Sequence, residues 1–325
     1  MSLDRIRTLV SLELRQRVRS VAWYVLLGVY GLILICVTAL AFLAFSSTPH
    51  PGAEIYSTVV FVTLLLAMLV SPALTGNAIN GDREAATLAP VQVTLATTGE
   101  IVTGKFLAGW ITGLAFAVVA VPFMILATFA GGVSPLVVLV SLVVLVVEIA
   151  VISAIGVAFS GILARPLFSV ACTYLVVAAL VLGTLIAFGL SGAAIRTPVA
   201  SSYRSAQYDS SGGIESCDPW EKSTYYTPRY DQVWWMLAPN PFVILADATP
   251  TAFDANGNPT DLFGSLKAGI RSAQIAPKTS TVYDECKPGN GFQAEEQQPT
   301  SEQIIAETTP SWFVGLALQV LLAGL

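Results

Sequence analysis

Long apolar runs alternate with short polar segments along the chain. Five runs have the about 20 residues that a helix needs to cross a hydrocarbon core, and they cover residues 21–45, 57–79, 106–130, 135–163 and 167–192. A sixth begins near Trp312 and reaches Leu325 after about 14 residues, fewer than a spanning helix requires. The pattern predicts an all-α polytopic membrane protein with about six transmembrane helices, the last of which (311–325) is truncated.

The segment before the first run is amphipathic. Within residues 1–20, apolar side chains recur at helical spacing with arginines between them: Leu3, Ile6, Leu9, Val10, Leu14 and Val18, with Arg5, Arg15 and Arg19. This arrangement favours a helix that lies in the membrane interface. The alternative is a solvated extension of the first transmembrane helix. The apolar run of that helix has about 25 residues, which exceeds the apolar region of a cleaved signal peptide.

Composition and charge support a membrane location and indicate an orientation. Only 11% of the residues are charged and 54% are hydrophobic, with a mean hydropathy of +0.71, so the chain has too little charge to solvate a globular surface. If the helices alternate, every basic residue before Arg196 lies on one side: Arg5, Arg7, Arg15, Arg17, Arg19, Arg83, Lys105 and Arg165. The positive-inside rule makes that side cytoplasmic and predicts a multi-pass plasma-membrane protein with a cytoplasmic N-terminus.

Residues 193–310 then form a large extracellular insertion between the fifth and sixth helices. The insertion carries 8 Lys/Arg against 14 Asp/Glu, a net charge of −6. Two of the four cysteines, Cys217 and Cys286, lie within it. Because cysteine pairs normally bridge in an oxidising compartment, we predict a Cys217–Cys286 disulfide.

Five aromatic residues crowd into a short part of this insertion: Tyr225, Tyr226, Tyr230, Trp234 and Trp235. Tyrosine and tryptophan are enriched at membrane interfaces, so an interfacial belt or a packed core is the favoured interpretation. The alternative is an aromatic lip that binds an amphipathic substrate at the exit of a pathway.

The segment between the second and third runs, residues 80–105, is charged at both ends and apolar between. It contains Asp82-Arg83-Glu84, Thr87-Leu88, Glu100-Ile101 and Gly104-Lys105, in that order. These residues resemble the cytoplasmic loop of ABC-2-type permeases, most closely those grouped with multicopper-enzyme maturation systems. Ala86, Ala89 and Thr97-Thr98 depart from the family pattern, which leaves the subfamily open.

The resemblance implies an ABC-2 (type V exporter-like) topology with a coupling helix in the 80–105 loop. In such a protein a separate ATP-binding subunit docks on Asp82, Arg83, Glu84, Thr87, Leu88, Glu100 and Lys105, and a second permease subunit completes the path through the lipid. The chain itself is then not an enzyme, and ATP and Mg²⁺ are bound by the partner.

The residues exclude several kinds of site within the chain. Gly99-x4-Gly104-Lys105 has Walker A spacing, but Phe106 follows the lysine, so no hydroxyl is available for Mg²⁺. His50 is the only histidine, so histidine-based metal sites and Ser-His-Asp catalysis lack their parts. We predict no metal site, no catalytic residues and no nucleic-acid partner.

Glu148 is an acidic residue in the middle of the fourth apolar run. An intramembrane acid costs about 2.5–3.5 kcal/mol on insertion scales and usually faces protein or water. One interpretation places Glu148 in a translocation path or switch, and the other makes it a protonated or hydrogen-bonded packing residue. Two further functions stay open: a membrane scaffold or signalling subunit acting on an external partner, and a secondary transporter with Glu148 as ion carrier.

Overall fold

The computed structural model describes residues 2–84, 86, 97–210, 212–287 and 299–324. Its first half is helical and comprises α1 (Leu3–Val18), α2 (Val21–Phe45), α3 (Pro51–Thr75), α4 (Asn80–Glu84), α5 (Thr98–Phe129) and α6 (Pro135–Ile162). A further long helix consists of α7 (Pro166–Ala178), a π-helical turn (Ala179–Gly183) and α8 (Thr184–Ala194).

Five of these helical segments are long and apolar enough to cross a membrane. They are α2, α3 with α4, α5, α6, and α7 with α8. A sixth span is possible by the same criteria if α11 (Ser301–Glu307) and α12 (Trp312–Gly324), which are bent by 60°, count as one. The prediction of a polytopic helical membrane protein is confirmed at this level.

The start of α5 shows why hydropathy misplaces a helix end. The Thr97 hydroxyl accepts a hydrogen bond from Glu100 N, and the Glu100 carboxylate accepts one from Thr97 N, which forms a capping box. The cap starts the helix at Thr98, eight residues before the apolar run at 106. Glu100 and Lys105, which were expected in a loop, therefore lie in the first turns of α5.

Helix α3 lies at the centre of the bundle and packs closely against α5 and α6. Glycines permit close approach among the three helices: a Cβ on Gly109 of α5 would lie 2.6 Å from Thr75 Cγ2 of α3, and one on Gly113 of α5 would lie 2.5 Å from Ile149 Cγ2 of α6. A Cβ on Gly156 would lie 2.0 Å from Thr75 Oγ1. Small residues at helix contacts are typical of membrane bundles, where backbones gain van der Waals contact by close approach.

After α8 the chain forms strands, which the prediction of an all-α protein did not include. They are β1 (Arg196–Arg204), β2 (Ala206–Tyr208), β3 (Ile214–Cys217), β4 (Glu221–Pro228) and β5 (Ser280–Asp284). In the three-stranded sheet, β1 pairs antiparallel with β4 and parallel with β5. Strands β2 and β3 form a separate antiparallel pair. We call this side of the bundle the sheet end and the opposite side, which carries α1, the α1 end.

Between β4 and β5 the chain folds back onto the helices. It runs through short 3₁₀ turns (Tyr230–Gln232 and Trp234–Leu237) to α9 (Pro241–Ala248) and α10 (Leu262–Ser272). The Asn240 side chain donates to Val181 O at 2.9 Å. Because Val181 lies 14 residues from Ile195 along a helix that rises 1.5 Å per residue, this turn reaches roughly 20 Å along the fifth span. The segment from Tyr230 to Ser272 therefore packs largely into the bundle.

Candidate functional site

A cluster of ion pairs joins three helices at the α1 end. The Lys105 ammonium group on α5 contacts the Glu13 carboxylate of α1 and lies 2.5 Å from Asp82 Oδ2 of α4. The Lys105 side chain is only 8% exposed. Because one cation is shared between two carboxylates, it holds α1 and α4 to the second turn of α5.

Glu100 forms the second part of this junction. Its carboxylate accepts hydrogen bonds from Ser2 N at 2.5 Å and Thr97 N at 2.9 Å, and Arg5 Nη1 lies 3.6 Å away. The Glu100 side chain is 1% exposed. Farther along α1, Arg17 Nη2 donates to Leu74 O at the end of α3. Helix α1 is therefore fastened to the bundle at both ends.

The predicted partner-binding residues divide by exposure. Glu100 and Lys105 are buried and Asp82 is partly buried, so these three residues serve internal contacts. Arg83 and Glu84 are exposed at the end of α4. Thr87 and Leu88 lie outside the described residues. Within the part of the loop that the structure describes, Arg83 and Glu84 are the side chains of this set best placed to meet a second protein.

Glu148 is fully buried in the middle of α6, at 0% exposure. Neither carboxylate oxygen has a hydrogen-bond partner among the described residues. Gln319 of α12 lies close enough to interact with the carboxyl group. Gln319 Nε2 donates to Pro239 O at 3.0 Å, while Gln319 Oε1 lacks a partner within the described chain.

The structure separates the five predicted aromatic residues into two groups. Tyr225 and Tyr226 belong to the exposed edge strand β4. Tyr230, Trp234 and Trp235 lie in the turns beside α8, where the Tyr230 ring is 5.1 Å from that of Phe188. The five residues therefore divide between a strand and the turns that precede α9.

A buried charge cluster was missed by the sequence analysis. Arg271 Nε of α10 donates to Asp247 Oδ1 of α9 at 2.7 Å, and the two side chains are 4% and 0% exposed. Lys267 Nζ donates to Thr249 O at 2.5 Å. Burial lowers the pKa of Lys267, an effect that nearby Asp247 opposes, and burial raises the pKa of Asp261. The sequence shows only that these residues are charged. It does not show that Arg271 pairs with Asp247, because the two lie 24 positions apart.

The sheet end carries its own polar links. Cys217 and Cys286 form a disulfide, which confirms that prediction. Arg204 donates to both carboxylate oxygens of Asp284, at 2.8 and 2.7 Å, and these hydrogen bonds lower the pKa of Asp284. The Arg204 guanidinium also lies 4.8 Å from the centre of the Trp220 ring. The contacts join the end of β5 to β1 and to the chain beside β3.

Comparison with protein-family models and with curated proteins finds no match for this chain. In the part of the chain that the structure describes, no three His, Cys, Asp or Glu side chains are grouped so that they could hold a metal ion.

Proposed function

We propose that this protein is the membrane-spanning permease subunit of an ATP-driven ABC-2-type exporter. The observation that carries the proposal is the α1-end junction, in which buried Lys105 and Glu100 fasten α1, α4 and α5 together while Arg83 and Glu84 stay exposed. The likeness of residues 82–105 to the family's coupling loop and the five candidate spans support it.

Under this proposal the exposed edge of α4 receives a separate ATP-binding subunit, which binds ATP and Mg²⁺. Motion of the edge passes to α5 through the Asp82–Lys105 ion pair. It passes to α6 through Ser160 Oγ, which accepts from Ile79 N and Asn80 N at 2.9 and 3.1 Å. Because tightly packed helices move as rigid bodies, a displacement of α4 then changes access to the space between the helices.

The proposal also assigns the two ends of the bundle. The α1 end, with Arg5, Arg15, Arg83 and Arg165, lies in the cytoplasm. The sheet end lies outside the cell, where its disulfide is stable. A second permease subunit and surrounding lipid complete the path, and the aromatic residues beside α8 form part of the outer interfacial belt.

The unpartnered carboxyl group of Glu148 favours a second candidate, an ion-coupled transporter in which this residue carries the ion. The two candidates differ at the α1 end, because only the ATP-driven one requires a docked ATPase. A scaffold or signalling subunit driven by the same ATPase would share that requirement and would differ in moving no cargo.

The test is purification of the full chain from its native host in mild detergent, followed by mass spectrometry and an ATPase assay. We expect an ATP-binding subunit to copurify with the wild-type chain. Arg83→Glu reverses the charge on the exposed edge of α4 and should lower recovery of that subunit at least tenfold. Arg165→Glu, at an exposed turn on the same face but outside the loop, is the matched control and should retain it.

Absence of any ATPase after chemical cross-linking would overturn the proposal and favour ion coupling. Equal recovery of the ATP-binding subunit with Arg83→Glu and with Arg165→Glu would show that the exposed edge of α4 is not the docking site.

A further inference from the structure

The contact between α6 and α12 contains an unusual excess of hydrogen-bond acceptors. Glu148 Oε1, Glu148 Oε2 and Gln319 Oε1 are all buried, and none has a donor among the described residues. Buried polar atoms in proteins are nearly always hydrogen-bonded. Three neighbouring acceptors without a protein donor in the described chain therefore favour a site in which one of the acceptor atoms itself carries a proton.

The surroundings limit what that donor can be. Leu145, Ile149 and Ile152 lie within four residues of Glu148 on α6 and are each at most 1% exposed, so this part of α6 is apolar and closed to solvent. An ionised carboxylate without a partner is strongly unfavourable in such surroundings. A metal ion or an ammonium group requires space and further ligands, whereas a proton requires neither.

A single proton gives two of these three atoms a partner. Bound to one Glu148 oxygen, it converts an acceptor into an O–H donor. Gln319 Oε1 is the unpartnered acceptor on the facing helix, and Gln319 Nε2 is held by Pro239 O at 3.0 Å. The Glu148 hydroxyl, the Gln319 carboxamide and the Pro239 carbonyl then form one chain of hydrogen bonds from α6 through α12 to the turn before α9.

We propose that Glu148 and Gln319 form a proton-binding site that holds α12 against α6. While the contact is closed, Glu148 is the neutral acid and donates to Gln319 Oε1. When α12 separates from α6 and water enters, the O–H bond breaks, the proton passes to water, and the carboxylate that remains is hydrated. Closing the contact requires the reverse step, so movement of α12 takes up or releases a proton.

Titratable groups on the other helices that pack against α6 have partners or lie at other levels. Toward the sheet end, Tyr56 OH of α3 is 2.9 Å from Ser141 Oγ, about 10 Å along α6 from Glu148. Glu54 of α3 lies beyond Tyr56, and Asp247 of α9 is paired with Arg271.

Toward the α1 end, Lys105 and Glu100 of α5 belong to the ion-pair junction. Helix α7 contributes Cys172 and Tyr174, whose hydroxyl donates to Leu69 O. Among the described residues, Gln319 is the polar side chain that lies close enough to interact with Glu148.

The inference concerns this chain alone and does not depend on an ATP-binding partner. The first experiment is infrared spectroscopy of the full-length chain in lipid nanodiscs, as a difference between neutral and strongly alkaline pH. The wild type should show the C=O band of a protonated carboxylic acid in apolar surroundings at neutral pH. Glu148→Gln should abolish this band, and Glu54→Gln, which removes the acid near the sheet end of α3, should retain it.

Gln319→Leu distinguishes the proposed hydrogen bond from mere burial. This variant keeps the Glu148 carboxyl group, so its band should persist but move to higher frequency because the O–H group has lost its acceptor. It also provides a test if Glu148→Gln fails to fold. A band that Glu148→Gln leaves unchanged, or that Gln319→Leu does not shift, would overturn the proposal.

The second readout is thermal unfolding as a function of pH. Above about pH 4.3 an unfolded glutamate has released its proton, whereas the folded chain retains the one on Glu148. One extra proton in the folded state lowers the folding equilibrium constant about tenfold per pH unit until the folded state also releases it. Wild-type stability should therefore fall with rising pH relative to Glu148→Gln, and parallel pH profiles would contradict the proposal.

Discussion

Asp247 is a single residue at which three segments of the chain meet. Its carboxylate accepts from Arg271 Nε at 2.7 Å, from Ser311 N and Oγ at 2.6 and 3.1 Å, and from Trp312 N at 3.1 Å. Arg271 Nη1 also donates to Thr308 O at 2.6 Å. A negative charge at the N-terminus of a helix is favourable, so Asp247 both neutralises Arg271 and anchors the first residues of α12.

Replacing Arg271 with methionine should strongly destabilise the fold. The variant leaves the Asp247 carboxylate buried without a cation, which typically costs about 3–5 kcal/mol. Thermal unfolding of the purified chain in detergent measures the loss. Arg196→Met, at the exposed first residue of β1, is the control and should change the midpoint little, and equal losses in the two variants would show that the Asp247 pair is not the cause.

At the scale of helices, close contact among α3, α5 and α6 depends on positions without side chains. Thr75 of α3 lies against both Gly109 and Gly156. Its hydroxyl donates to Ser71 O at 2.7 Å, which limits its freedom to move. The α3–α6 contact therefore has no room for an added methyl group at Gly156.

Gly156→Ala and Gly161→Ala should change stability in opposite directions. At Gly156 the new Cβ would lie 2.0 Å from Thr75 Oγ1 and 2.9 Å from Thr75 Cβ, whereas at Gly161 it would meet Ile79 Cδ1 at 3.5 Å. Overpacking costs about 1–3 kcal/mol, and alanine is favoured over glycine in a helix by about 1 kcal/mol. Thermal midpoints in detergent should fall for Gly156→Ala and rise slightly for Gly161→Ala, and a rise in both would contradict the proposed steric limit.

At the scale of the whole molecule, the sheet and the bundle are stabilised by different means. The helices share a large hydrophobic cluster, which includes Tyr56, Phe116 and Ile149 and extends to Ile244 and Phe263 in the segment from Tyr230 to Ser272. Much of the sheet region is exposed, with β3 and most of β4 open to solvent. Its stability therefore depends more on discrete links, namely the Cys217–Cys286 disulfide and the Arg204–Asp284 ion pair.

Removing the disulfide should loosen the sheet and leave the bundle intact. The bridge spans a sequence separation of 69 residues, and the chain-entropy relation gives about 4 kcal/mol for a loop of this order. Limited proteolysis of Cys217→Ser/Cys286→Ser, read by mass spectrometry, should show new cleavage between residues 196 and 287. Cys36→Ser, at a free cysteine in α2, is the control, and indistinguishable digestion patterns would count against the predicted role.

The sequence by itself determined the features that depend on local composition. Five apolar runs sufficed to predict the five candidate spans, because burying about 20 consecutive apolar residues in lipid needs no information about neighbours. Cysteine placement sufficed for the disulfide, since only Cys217 and Cys286 lie in the acidic insertion. Glu148 could be singled out because an acid within an apolar run is costly wherever it faces.

Only the tertiary structure decided which residues are partners. Hydropathy ends an apolar run at a charged residue, but α5 includes Glu100 and Lys105. The Lys105 ammonium group is neutralised by the carboxylates of Glu13 and Asp82. The Glu100 carboxylate accepts hydrogen bonds from the backbone N–H groups of Ser2 and Thr97. The segment from Tyr230 to Ser272 was expected to belong wholly to the extracellular insertion, yet it packs among the helices. There Asn240 donates to Val181 O, and Asp247 pairs with Arg271. The physical reason is the same in each case: a polar group can be buried where a distant residue completes its hydrogen bonds or charge, and sequence position does not reveal that residue.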